Sequence, residues 1–306
     1  MKTLVVGGNG FIGSHLVDKL VENDWEVVIL DLHERRYDAI PSQVRFIRGD
    51  LSQSYLVRES LMGVDVVFHL AWSGIPEISI IDPIAAIQTN LHPSINLFDA
   101  CLQAKVGRVI FISSGGTIYG PAQAIPIPET HPQSPINVYG INKLMTEKYL
   151  EMYNILYGLD YAIIRPSVPY GPRQNHLAKQ GAIAVFLYRV AKQIPIAIWG
   201  DGSITRDFFY ISDLAAALIA CAERKIIQER IYNIGGGKEI SLNSLLKSIE
   251  DTVGKKAIVE YHPARKFDAS RIVLDIKRAE RELDWAPGIS LQQGLTKTWE
   301  WMSTIV

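Results

Sequence analysis

The most constraining stretch of this 306-residue chain is its beginning. The β-branched run Thr3-Leu4-Val5-Val6 opens directly into Gly7-Gly8-Asn9-Gly10-Phe11-Ile12-Gly13. Glycines spaced G-x-x-G-x-x-G between a strand and an apolar-periodic helix, here Ile12–Glu22, demand a tight strand–turn–helix unit. Such a turn lets backbone come close to a pyrophosphate, and the helix amino terminus adds N–H groups and partial positive charge. The next strand ends at Asp31, where a carboxylate accepts hydrogen bonds from an adenosine ribose and repels a 2′-phosphate. Gly7, Gly10, Phe11, Ile12, Gly13 and Asp31 are therefore candidate dinucleotide-binding residues, with NAD preferred over NADP. Arg35 and Arg36 weaken that preference slightly.

Further β-branched runs recur along the chain: Glu26–Leu30, Val44–Arg48, Asp65–Leu70, Arg108–Ser113 and Tyr161–Pro166. Amphipathic stretches at about Pro83–Ala104 and at Val138–Tyr157 separate them. This alternation predicts an α/β fold, a Rossmann-type doubly wound parallel sheet with a smaller α/β lobe. The rhythm breaks after Pro166, then returns in "RDFFYISDLAAALIACAER". The expected division is a dinucleotide-binding domain over 1–165, with about 206–235 added to it. A substrate-binding lobe would comprise 166–205 and 236–306.

Composition narrows the class. A formal net charge of −1 gives no electrostatic footprint for nucleic acid. No apolar run reaches the ~18–20 residues of a membrane span. Cys101 and Cys221 sit singly in apolar, helix-like runs, which argues against zinc and against a disulfide framework. No metal site is expected. The opening "MKTLVVGGNG" is already strand-like and leaves no room for a signal peptide, so a cytoplasmic location is expected.

A second constellation is Tyr139-Gly140-Ile141-Asn142-Lys143. On a helix, i and i+4 share a face, so phenol and ammonium point the same way. A charge ~4 Å away at an effective dielectric of ~20 is worth ~4 kcal/mol, about three pKa units. Lys143 could thus bring a phenol of pKa ~10 near neutrality. Tyrosine–lysine pairs are commonplace on amphipathic helices; following a dinucleotide fingerprint, this one is a candidate acid–base pair.

With "GGNGFIG", "GDL", "FHLAW", "SSGGTIYG", "YGINK", "RPSVPYGPRQ", "GDGSITRDFFYISD" and "YNIGGG" together, the sequence resembles the extended short-chain dehydrogenase/reductase family. It is most similar to its nucleotide-sugar 4-epimerases, over nearly the whole chain. The resemblance implies NAD as cofactor, a UDP-linked sugar as substrate and a homodimer through the helices around Pro83–Ala104 and Val138–Tyr157. It implies Tyr139 as acid and base at the sugar O4, with Lys143 on the nicotinamide ribose. It implies adenine contacts from Asp50 and Leu51, and a phosphate cleft lined by His69, Leu70 and Ala71. Arg206 and Arg265 would hold the substrate pyrophosphate.

Two departures stand out. The family places a serine or threonine where this chain has Gly115, and an asparagine where it has Val168. If the segment stays extended, residues two apart share a face, so Thr117 is the first substitute for the missing hydroxyl and Ser114 the second. Ser113 is expected only to satisfy backbone groups. Gly115 and Gly116 also replace the acidic pair expected of a 4,6-dehydratase, and the loop lacks the glutamate expected of a decarboxylase. The expected activity is 4-epimerisation of UDP-glucose or its N-acetylhexosamine counterpart. A 4-keto-sugar reductase and a non-catalytic dinucleotide-binding protein remain alternatives.

Overall fold

The computed structural model describes residues 1–74, 82–178, 181–264 and 271–306. In chain order the strands begin with β1 (Lys2–Val6), β2 (Glu26–Asp31), β3 (Arg45–Arg48), β4 (Val66–His69), β5 (Arg108–Ile112) and β6 (Tyr161–Pro166). Next come β7 (Val168–Tyr170), β8 (Ile196–Trp199), β9 (Thr205–Arg206), β10 (Phe208–Tyr210) and β11 (Ile231–Ile234). The last are β12 (Ile240–Ser241), β13 (Val259–His262) and β14 (Arg271–Ile272). Seven of these strands form one parallel sheet in the order β11-β6-β5-β4-β1-β2-β3. The order reverses between β1 and β4, which opens the crevice where doubly wound sheets take their ligands.

Both faces of the sheet are covered, so its strands carry near-continuous apolar runs. On one face Val5, Phe68 and Ile110 pack with Leu16, Val17 and Leu20 of α1 (Phe11–Glu22). On the other, Leu4, Val6, Val67 and Phe111 meet Val57 of α2 (Ser54–Ser60). A second helix system closes that face: α3 (Pro83–Ala86) passes through a π-turn, Ile87–Leu91, into α4 (His92–Ala104). Pro93 has no N–H to donate one turn back, a sufficient reason for the ladder to widen there. Leu150 and Tyr153 of α5 (Val138–Tyr157) complete the layer.

The remaining helices are α6 (Ala182–Lys192), α7 (Ile211–Glu223), α8 (Leu242–Val253), α9 (Lys277–Leu283) and α10 (Leu291–Met302). The apolar cluster around α1 continues through Leu214 and Leu218 of α7 to Leu245 and Ile249 of α8 and Leu295 of α10. The carboxy-terminal segments are thus seated on the first face of the sheet. Arg173, from the loop after β7, adds a polar clasp. It donates to Asp18 at 2.7 Å, Asp38 at 2.9 Å and His15 Nδ1 at 2.8 Å. His15, whose other ring nitrogen donates to the Pro172 carbonyl at 2.9 Å, has a structural task.

Candidate active site

At the crevice the glycines of the first turn are fixed by backbone. Gly7 has φ +81°, and a methyl on it would lie 2.7 Å from the Ala71 nitrogen. A methyl at Gly13 would lie 2.1 Å from the Gly7 oxygen. The N–H groups of Leu70 and Ala71 both donate to the Val6 carbonyl at 2.9 Å, so the end of β4 runs directly under the turn. Helix α1 begins at Gly10 without a side-chain cap, which leaves its first N–H groups for a ligand. Phe11 and Ile12 form its first turn. Asp31 closes β2 and accepts from Asn9 N–H at 2.9 Å and His33 N–H at 3.1 Å. Asp50 follows β3 and accepts from Ser52 N–H at 2.7 Å; its neighbour Leu51 is buried.

A cleft of about 160 Å³ opens here, lined by Asn9, Gly10, Phe11, Arg35, Arg36 and Tyr37 among others. Arg35 does not point at a ribose phosphate. Its guanidinium is turned inward onto Asp18, at 2.8 Å, and the Ser14 carbonyl, at 3.1 Å. Its pull towards NADP is weaker than its position in the sequence implies. These residues fit a dinucleotide whose ribose keeps its 2′-hydroxyl.

The second constellation assembles at the ends of β4, β5 and α5. Asn137 caps α5 through Gly140 N–H at 2.8 Å, and Tyr139 stands in the first turn. Gly140 lets that turn lie against the Thr117 carbonyl, which would be 2.8 Å from a methyl there. The segment after β5 does not stay extended. It turns at Gly115–Thr117, and Ile118 N–H reaches back to the Ser114 carbonyl at 3.3 Å. The premise that alternate residues share a face therefore fails, yet the turn still brings Thr117 against the tyrosine's helix. Thr117 Oγ1 is buried with no partner among the described residues. Ser113 Oγ is likewise buried and unpartnered among them, so it satisfies no backbone group there, contrary to expectation. Ser114 is half-buried one step before the turn.

Gly115 has its own explanation. A methyl there would lie 2.5 Å from Leu274 Cδ1 and 3.1 Å from the Arg165 oxygen. The volume a serine would need is taken by Leu274, which is almost fully buried. Gly116, by contrast, faces open space.

Lys143 is 1% exposed and donates to the Ile112 carbonyl at 2.7 Å. Its ammonium lies 3.8 Å from the centre of the Trp72 ring, 4.8 Å from that of Phe111 and 5.8 Å from that of Tyr139. Burial pushes the Tyr139 phenol up to about 12. It also drives Lys143 well below the usual lysine range, against the opposing charge of Glu147. A phenol held near neutrality by Lys143 is thus not what the protein alone shows: burial raises the phenol, and the lysine Nζ is aimed at a backbone carbonyl. Behind the lysine, Glu147 is held by both arms of Arg165, at 3.0 and 2.5 Å. Arg165 also donates to Tyr119 at 3.0 Å, and Tyr119 to Asn233 at 2.6 Å.

Arg206 lines a separate cleft of about 220 Å³ with Val168, Ala182, Ile198, Trp199 and Phe208. It pairs across the sheet with Ile272 and donates to its own Thr205 carbonyl at 2.8 Å. Asp207 turns the other way. It is fully buried and accepts from Gly236 N–H at 2.7 Å. Val168 gives this cleft an apolar wall where the resemblance led to an amide. Arg265 lies outside the described residues.

Sequence reasoning passed over Trp72, Leu274 and Asn90. Trp72 had a signal, since a large aromatic directly follows a strand end rich in polar and small residues. The contact of Leu274 with Gly115 had none.

A glycine-lined helix terminus at a sheet's switch point, with an acid closing the second strand, defines a Rossmann-type dinucleotide-binding protein. The nearby tyrosine–lysine helix narrows the class. The chain belongs to the NAD dependent epimerase/dehydratase family, whose model matches residues 3–235. It is 35% identical to the UDP-glucose 4-epimerase of Mycolicibacterium smegmatis over 307 residues, 98% of each chain. The UDP-glucose 4-epimerase of Thermotoga maritima, solved with UDP-glucose, superposes with a TM-score of 0.94 at 35% identity, covering 99% of both chains. That of Thermus thermophilus, solved with NAD, gives 0.93 at 32% identity and covers all of both. Among the described residues, no helix is long and apolar enough to cross a membrane, and no group of histidine, cysteine or acidic side chains could hold a metal ion.

Proposed function

We propose that this protein is an NAD-dependent 4-epimerase of a UDP-hexose, acting on UDP-glucose or its N-acetylated counterpart. The observation that carries this reading is the Thr117 hydroxyl, buried without a partner among the described residues, on the backbone that packs against Tyr139's helix turn. A buried hydroxyl left unmatched costs about 1–3 kcal/mol, which a substrate hydroxyl at that place would recover. Tyr139 takes and returns the O4 proton. Thr117, rather than Ser114, steadies O4. Lys143 holds the nicotinamide ribose and supplies positive charge to the phenol. Gly7, Gly10, Phe11, Ile12, Gly13, Asp31, Asp50, Leu51, Leu70 and Ala71 would hold NAD, which would supply the reversible hydride chemistry that epimerisation at C4 needs. Arg206, with Arg265, serves the pyrophosphate through a fork of donors. The loop from Ser113 to Gly120 holds no acidic side chain and so lacks the pair that elimination across C5 and C6 would require.

The test is a proton NMR time course of the anomeric region. Purified protein is mixed separately with UDP-glucose and UDP-N-acetylglucosamine, without added cofactor. Growth of the galacto isomer, lost in Tyr139→Phe, is expected. No isomer even with NAD supplied, but consumption of a 4-keto sugar with reduced cofactor, would assign a reductase instead.

We further propose a homodimer through α3–α4 and α5. Ile84 and Ile87 on one side, and Ile141, Met145, Met152 and Ile155 on the other, are exposed. An apolar array of this kind on two neighbouring helix systems fits a second copy of the same surface. The two buried, unpaired cysteines accord with a reducing, cytoplasmic setting.

A further inference from the structure

Lys143 is buried beside Tyr139, and its packing involves more than the nicotinamide ribose proposed for it. It is 1% exposed, and among the described residues it donates to the Ile112 carbonyl. A buried amine tends to lose its proton unless its surroundings favour the charged form. Two aromatic faces lie against it. The Trp72 ring centre is 3.8 Å from Nζ, well inside the range of a strong cation–π contact, and Phe111 is second at 4.8 Å. Trp72 also meets Tyr139 edge to face at 6.0 Å.

The indole is held from both sides. Before it, Ala71 N–H is bonded to Val6. After it, Asn90 closes a two-way clamp on Ser73, accepting its N–H at 2.7 Å and donating to its carbonyl at 3.0 Å. Asn90 belongs to the π-turn between α3 and α4, so that irregularity serves a purpose: it aims a buried amide at the backbone beside Trp72.

We propose that Trp72 is a positioning residue for Lys143, its indole face replacing water on the buried ammonium beside Tyr139. The inference rests on the reading of Lys143 given under Proposed function. Among the described residues, the other groups near the ammonium are few. Tyr139 and Glu147 lie on its own helix, one turn to either side, and Arg165 of β6 occupies both oxygens of Glu147. His69 of β4 is the remaining titratable neighbour; burial and Lys143 hold it down to about 3, so it is neutral. Beside the Ile112 carbonyl, the indole face is then the nearest support for the charge that does not depend on another charge.

The test replaces Trp72 alone by mono-, di- and trifluorinated tryptophan, which keeps its shape and drains its π-face step by step. The readout is the pH titration of the Lys143 side-chain nitrogen by NMR in the protein as purified, assigned by its loss in Lys143→Met. A stepwise fall in the Lys143 pKa, about one unit over the series, is expected. A titration unchanged across the series would overturn the proposal, whatever Trp72→Leu does to folding. Where turnover is observed, the acid limb of kcat should move up in pH in parallel, because a less charged lysine leaves the phenol harder to ionise. Absence of epimerisation would sink the functional reading alone, since the lysine titration needs no turnover.

Discussion

Two strand ends in this molecule are built from glycine for opposite reasons. After β1, the glycines are hemmed in by backbone: Gly13 by the Gly7 oxygen at 2.1 Å and Gly8 Cα at 2.7 Å, Gly7 by Ala71. After β5, Gly115 is hemmed in chiefly by a side chain, Leu274, from more than 150 residues further along. The first is a property of a local motif that any chain making this turn must share. The second is an accommodation between two distant positions, and another chain could settle it differently. A loop at this place can thus carry glycine where the resemblance leads to a hydroxyl, because a distant side chain fills the space.

The largest effect should come from the backbone-walled glycine. Gly13→Ala drives a methyl into main chain that cannot yield, at a cost on the order of 3 kcal/mol. The helix would have to lift from the turn, so bound dinucleotide should be lost as well. Thermal unfolding and the absorbance of copurified NAD check this. An alanine variant with unchanged melting and cofactor content would show that the wall yields after all.

Next in size is the hydroxyl that the second arrangement leaves in place. Thr117→Val keeps the shape and removes the donor. Its kcat should fall roughly 100-fold, within the range for an assisting proton-transfer group, with a smaller change in KM. Thr117→Ser should restore most of the rate, and Ser114→Ala should leave it within a few-fold. A threefold loss or less in Thr117→Val would move the role to Ser114 or Ser113.

Gly115 itself should show a smaller, conditional effect. Gly115→Ser meets the end of a flexible side chain, so overpacking costs about 1–2 kcal/mol. Leu274→Ala alone opens a cavity and costs about 2–5 kcal/mol. Together they should cost at least about 1 kcal/mol less than their sum, measured by a denaturant double-mutant cycle. The double variant should also recover activity in a Thr117→Val background, because the serine then occupies the family's usual position. Additive costs would mean that Leu274 is not what holds Gly115 small.

What could be read from the sequence follows the same line. The first turn, Asp31 and the i, i+4 spacing of Tyr139 and Lys143 are local patterns, so their placement followed from the order of residues alone. The strand-then-helix rhythm of residues 206–223 appears as β10 and α7, but β10 pairs with β7, and of residues 206–235 only β11 joins the seven-stranded sheet. The Leu274–Gly115 contact and the aim of Asn90 at Ser73 depend on how distant segments pack, and no spacing encodes that. Thr117 was reached through an extended-strand argument that the turn at Gly115–Thr117 invalidates. For the phenol, the lysine's charge has burial to work against. The ~4 kcal/mol attraction ignored what it costs to bury both groups, and the protein by itself leaves Tyr139 at about 12.

The smallest effect should belong to Gly116, and it sharpens the contrast most because the residue adjoins Gly115. A methyl here meets nothing within 4 Å, and the backbone is outside the left-handed region. Gly116→Ala should therefore be tolerated, with a gain of up to about 0.4–1 kcal/mol through the stiffer unfolded chain. Melting temperature should hold or rise slightly, with turnover within about twofold. A clear loss of stability would mean that the turn needs glycine for its backbone, as the first turn does, and the two strand ends would then be alike. A loss of turnover at full stability would instead show that the open space beside Gly116 is filled by substrate.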